Sequence, residues 1–140
     1  RASDGAQFDC TLTSSTGALP HELAQAYEVG LRAQLAGVEA MRAGTTGAEA
    51  DAAARSVIED AGLGEKFGHG LGHGIGMAVH EAPTARPESS DVLEAGNVIA
   101  VEPGIYLEGR GGVRIEDNVV ITDGEPENLT GFTKDLVTVA

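Results

Sequence analysis

The chain has 140 residues, enough for one domain that buries its own core, and its single cysteine, Cys10, leaves no internal disulfide to form. A formal net charge of −13 argues against nucleic acid and anionic membrane surfaces as partners, because both would repel it. No apolar run reaches membrane-spanning length and the first residues lack a basic-then-apolar leader pattern, so the expectation is a soluble cytoplasmic protein whose acids mostly solvate its surface.

Phe8, Cys10 and Leu12 alternate with Asp9, Thr11 and Thr13, the pattern of a half-buried strand. Pro20 then stands where a helix would begin, and the segment to about Ala43 is helical in character. Leu23, Tyr27, Leu31, Leu35, Val38 and Met41 recur at three- and four-residue steps as one apolar stripe, and Gly44 ends it. Thr46-Gly47-Ala48-Glu49 matches a capping box that opens a second helix, running through Val57 and Ile58 to a stop at Gly62.

Beyond Gly68 the pattern turns to strands: Ile75–Val79, Val98–Val101, Ile105–Leu107, the long β-branched run Val113–Thr122, and Leu136–Val139. Ala82–Glu94, with two prolines, reads as a surface loop. One strand, two helices and then several strands without intervening helices predict an α+β domain, with the helices on one face of a mostly antiparallel sheet.

The chemistry concentrates in Gly68-His69-Gly70-Leu71-Gly72-His73-Gly74-Ile75-Gly76, followed by His80-Glu81. Five glycines in these nine residues make a helix implausible and allow close backbone approach to a ligand. On an extended chain His69 and His73 share a side, whereas His80 faces the other side unless a bulge intervenes. The His-Glu-x-x-His zinc motif is absent, and the loop lacks the Lys-Ser/Thr of a phosphate cradle. Glu102 precedes Pro103-Gly104, where a strand turns. Arg114 and Glu116, two apart on a strand, point to one face with Ile115 and Asp117 on the other; the arginine and glutamate could form a structural pair, or the arginine could orient a substrate while Glu116 binds metal. Imidazole plus carboxylates from separate strands is the ligand set of a hydrolytic metal site built on a sheet.

The motifs GHGLGHGIG…HE, EPGIY and GVRIED, in that order over Phe67–Thr122, resemble the creatinase/aminopeptidase P/prolidase family of pita-bread metallopeptidases, and the two preceding helices are similar to it as well. The resemblance implies a pita-bread-like curved sheet, with residues 1–140 forming the C-terminal part of the catalytic domain. It implies hydrolysis of the bond before a proline, by a hydroxide bridging two divalent ions, usually manganese or cobalt, although the donor set also suits iron or zinc. By resemblance His73, Glu102 and Glu116 are metal ligands and Glu102 carries the proton. His69 and His80 contact substrate and stabilise the tetrahedral intermediate, and Arg114 is the active-site arginine. A homodimer and a proline-containing peptide as substrate are further implications, with dipeptidase and aminopeptidase activity left open.

The sequence departs from the family at its start. Two further ligands come from aspartates on a hairpin; here Asp9-Cys10-Thr11-Leu12-Thr13 fits the second, with Leu12 for the usual arginine, and Asp4-Gly5-Ala6 is similar to the first. Asp4 and Asp9 are five residues apart, an odd spacing that puts them on opposite faces of one strand. The family's domain has two related halves, and the chain matches little beyond the second, so the expectation is that it requires the N-terminal half. Two alternatives stand beside the peptidase: a non-catalytic relative that binds peptides or a protein partner, and a creatinase-like hydrolase that works without metal.

Overall fold

In a computed structural model, which describes residues 5–139, two helices lie against a set of short strands. Asp4, an expected metal ligand, lies outside the described residues. Helix α1 (His21–Ala40) follows Pro20, and α2 (Gly47–Asp60) opens on the expected capping box. The Thr46 hydroxyl accepts from the Glu49 amide at 3.3 Å while the Glu49 carboxylate accepts from the Thr46 amide at 2.8 Å. Gly62, at φ +74°, takes the left-handed conformation that stops α2.

The buried face of α1 matches the stripe of large side chains only in part: Tyr27 and Met41 are buried and Leu31 and Val38 pack against the core, but the face is centred on smaller residues. Ala26, Tyr27, Val29, Gly30, Ala33, Gln34 and Gly37 turn inward, and Leu35 is 52% exposed. Distance is the reason: a Cβ on Gly37 would stand 3.1 Å from Leu71 Cδ2 and 3.2 Å from Val101 Cγ1. Small residues let the helix approach the strands this closely, and in a core packed like an organic crystal that proximity outweighs side-chain size. Met41, Ile58, Leu71, Leu93, Ile99 and Ile105 fill the remaining interior.

Strands β2 (Gly72–Gly74), β3 (Glu81–Ala85), β4 (Val98–Val101), β7 (Asp117–Val120) and β8 (Glu127–Asn128) form a sheet of order β3-β2-β4-β7-β8, antiparallel throughout. Between β4 and β7 the chain makes a hairpin of β5 (Gly104–Leu107) and β6 (Gly111–Arg114). Near the chain ends β1 (Ser14–Ser15) pairs with β9 (Val137–Thr138) in parallel. None of the described helices is long and apolar enough to cross a membrane.

Several strand expectations need correction. Ile75–Val79 is not a strand; the backbone bends there, and β2 is the preceding Gly-His-Gly. Pairing on both edges, to β3 and β4, makes β2 extended without β-branched residues. The same pairing makes a strand of Glu81–Ala85, inside the stretch read as a loop. Val113–Thr122 breaks at Ile115–Glu116, where the hairpin rejoins the sheet.

Residues 7–13 form no regular strand and are turned the opposite way from the expected alternation. Phe8 and Leu12 are 42% and 46% exposed. Thr11 and Thr13 face inward because their oxygens bond the chain beside them. The Thr13 hydroxyl donates to the Arg114 carbonyl at 2.8 Å and accepts from the Arg114 amide at 3.1 Å, and the Thr11 carbonyl accepts from the Glu116 amide at 3.2 Å.

Replacing Gly37 with valine drives γ-carbons into Leu71 and Val101. Gly37→Val is expected to destabilise the fold by about 1–3 kcal/mol, the usual range for overpacking, read as a lower urea midpoint.

Candidate active site

Glu102 and Glu116 are distant in sequence and adjacent in space because of one register. Val101, the last residue of β4, pairs with Asp117, the first of β7, and the hairpin lies between them. Glu102 immediately follows one member of the pair and Glu116 immediately precedes the other. His73 pairs with Ala100 on the opposite edge of β4. Gly72 makes this pairing close: a Cβ there would overlap the Ala100 carbonyl oxygen.

His73 and Glu102 face each other at 3.3 Å between Nε2 and Oε1, without hydrogen-bond alignment. The Glu102 carboxylate raises the His73 pKa, outweighing the burial that lowers it. Burial pushes the Glu102 carboxyl up, but His73, Arg114 and His69 together bring it below its ordinary value. Arg114 reaches Glu102 Oε2 at 3.6 Å from Nη1 and donates from Nη2 to the Thr11 hydroxyl at 3.2 Å. Arg114 thus serves Glu102 rather than pairing with Glu116, although the strand breaks between the two glutamate-flanking segments.

Glu116 is 1% exposed, and neither of its carboxylate oxygens has a hydrogen-bond partner. Burial pushes its carboxyl pKa up, and the Asp9 and Glu102 carboxylates add to that. Asp9 is half-buried, and its carbonyl accepts from the Asn118 side-chain amide, which seats it against the start of β7. His73 Nε2 is likewise buried without a partner. Buried lone pairs left open on the Glu116 carboxylate and the His73 imidazole suit a divalent cation in kind. Among the described residues, however, no three His, Cys, Asp or Glu side chains stand close enough to hold one as they are.

A bulge decides where His80 goes. The β2–β3 register shifts between His73 and Gly74, and His80 lies against His73 with ring centroids 4.2 Å apart. His69 is directed to the same region: its Nε2 is 3.0 Å from the Tyr106 hydroxyl, and its ring meets Phe67 edge-on at 5.1 Å. Sequence reasoning did not single out Tyr106, whose hydroxyl meets His69. A usable signal was present, since Gly104 and Gly112 leave room for its ring, and a Cβ on either would collide with it.

Asp117 was also missed as a functional support. It is 2% exposed, and one oxygen accepts from Gln34 Nε2 at 2.6 Å and Asn128 Nδ2 at 2.7 Å, with Lys134 Nζ at 2.8 Å. Through Gln34 it faces α1.

The sheet brings imidazole and carboxylate side chains to one end, donors of the kind a divalent metal takes. The chain belongs to metallopeptidase family M24, whose sequence profile matches residues 2–123. It is 46% identical over 129 residues to the uncharacterized peptidase YqhT of Bacillus subtilis, covering 92% of this chain and 36% of the relative. With the Xaa-Pro dipeptidase of Pyrococcus horikoshii it shares 42% identity over 129 residues, covering 92% of this chain and 37% of that protein. The solved Xaa-Pro dipeptidase from Bacillus anthracis superposes with a TM-score of 0.94 at 46% identity, over 96% of this chain and 38% of that one. The fold is therefore α+β and part of a pita-bread fold, and the chain spans a little over a third of these relatives.

An acid whose pKa is raised on folding stabilises the native state at low pH and progressively less as pH rises. With chelator present, stability is expected to fall as pH rises from the ordinary glutamate value of 4.5 through the higher value Glu116 has in the fold. Glu116→Gln, which carries no charge to bury, is expected to flatten that slope in urea titrations across pH. An unchanged slope would show that Glu116 is not the group responsible.

Proposed function

We propose that this chain is the C-terminal part, over residues 1–140, of a pita-bread catalytic domain that hydrolyses Xaa-Pro peptide bonds with divalent metal. One observation carries the reading: His73 on β2, Glu102 just after β4 and Glu116 just before β7 come to one sheet end, where the Glu116 carboxylate and His73 Nε2 are buried without hydrogen-bond partners. The Xaa-Pro dipeptidase names of the relatives support the choice of substrate.

Asp9, His73, Glu102 and Glu116 would hold the metal, with Asp4 as a further ligand. Two manganese ions suit the oxygen-rich set, and cobalt, iron or zinc are compatible with it. When bound, the metal would polarise the scissile carbonyl and acidify an attacking water. Glu102, kept ionised by His73, Arg114 and His69, accepts the water's proton and delivers it to the departing proline nitrogen. His69 and His80 flank the substrate carbonyl and donate to the oxygen on which charge develops. Arg114 balances the charge of Glu102 and holds its carboxylate in place. The activity depends on the N-terminal half of the pita-bread fold, which in the longer relatives accompanies the region matched here.

A second reading, a peptide-binding relative without turnover, draws on the failure of any three described donors to close on one point. Joined to the N-terminal half of the fold, the chain is expected to cleave an Xaa-Pro dipeptide or a longer Xaa-Pro peptide with added manganese and to stop with chelator. Cleavage that survives chelation would favour creatinase-like chemistry, whereas peptide binding by the folded chain without cleavage would favour the binding relative. Glu102→Ala is expected to abolish turnover while the fold survives, and wild-type turnover in that variant would sink the mechanism. His73→Ala is expected to weaken manganese affinity about 10–100-fold in calorimetric titration.

A further inference from the structure

Helix α2 carries Asp51 and Arg55 one turn apart, and none of the roles above uses either. Asp51 is 1% exposed. Arg55 meets it in a fork, Nε to Oδ2 at 2.6 Å and Nη2 to Oδ1 at 3.0 Å. Two further guanidinium protons go to backbone: Nη1 donates to the Phe67 carbonyl at 3.0 Å and Nη2 to the His69 carbonyl at 2.8 Å. Asp51 Oδ1 also accepts the Leu71 amide at 2.9 Å. The pair therefore grips residues 67, 69 and 71, alternate residues of the segment that leads into β2.

That grip extends to both sides of the site. The Leu71 carbonyl accepts the Glu102 amide at 2.8 Å, so the segment held by α2 in turn holds Glu102. The Arg55 guanidinium lies 4.2 Å above the Phe67 ring, and that ring packs edge-on against His69. A segment so rich in glycine has little preference of its own and must be ordered from outside. Apolar packing holds the ends of the segment at Phe67 and Leu71, and the hydrogen bonds from the forked pair hold the backbone between them, where Gly68 and Gly70 offer no side chain to pack.

We propose that Asp51 and Arg55 are positioning residues that fix the backbone of Phe67–Leu71 and thereby place His69 and Glu102 for the reaction proposed above. The inference depends on that reading for its reaction but not for its geometry. A buried ion pair by itself is weak grounds for stability, so the pair's contribution is specificity of arrangement. Lysine would keep the charge yet supply no fork that reaches the carboxylate and two carbonyls together.

The test is Arg55→Lys in the full chain, checked for folding by circular dichroism and read by NMR. The His69 ring signals and the Leu71 and Glu102 amide signals are expected to shift, while the ring signals of the remote His21 stay in place. In a manganese-loaded Xaa-Pro assay, kcat is expected to fall about ten- to a hundredfold with KM little changed, the size of effect that misplaced catalytic groups produce. A folded variant whose His69, Leu71 and Glu102 signals match wild type would overturn the proposal, even if its melting temperature dropped. Should wild type show no peptidase activity, the NMR comparison still decides the positioning question while the peptidase reading alone fails. If Arg55→Lys does not fold, hydrogen exchange on wild type decides: slow exchange at Arg55 Nε and the Leu71 amide supports the grip, and solvent-like exchange overturns it.

Discussion

Pairing between Val101 and Asp117 sets the positions from which the rest of the site is built. Because β4 and β7 are antiparallel neighbours, the chain must leave at Val101 and return at Asp117, and the hairpin fills the interval. The residues flanking that junction are Glu102 and Glu116, so one backbone register brings two carboxylates to one end of the sheet. The opposite edge of β4 carries β2, whose His73 pairs with Ala100 and adds the imidazole. A slip of one residue in either pairing would send these side chains to the opposite face.

Two adjacent buried carboxylates show how the fold separates support from chemistry. Asp117 has Gln34, Asn128 and Lys134 around a single oxygen and is fully compensated. Glu116, its neighbour, has no hydrogen-bond partner on either oxygen. Burying an uncompensated carboxylate opposes folding. The scaffold around Asp117, with the grip of Arg55 and Asp51 on the glycine-rich segment, is the kind of surrounding rigidity that can sustain such an open group. Capacity to bind a cation is one function that accounts for leaving it open.

The N-terminal segment follows the same division. Thr11 and Thr13 use their oxygens to lie along Arg114–Glu116, which brings Asp9 alongside the start of β7. Inward polar threonines and outward Phe8 and Leu12 reverse the usual arrangement, because the neighbour on the inner side is a hydrogen-bonding edge rather than a hydrophobic core.

Much of this was legible in the residues alone. The capping box at Thr46, the helix stop at Gly62, the α+β order of elements and the motifs that hold His69, His73, His80, Glu102, Arg114 and Glu116 all follow from local chemistry, where a residue's own backbone preference or a short spacing is decisive. Tertiary structure alone decided which face of α1 is buried, that Gly-His-Gly rather than Ile75–Val79 is a strand, and that a bulge turns His80 toward His73. The same holds for the links of Tyr106 to His69 and of Arg55 to the Phe67–Leu71 backbone. These depend on distances between segments remote in sequence: how near a helix can come, which edges pair, and where a carbonyl lacks a donor. Periodicity records a residue's preference for burial but not the partner that will meet it.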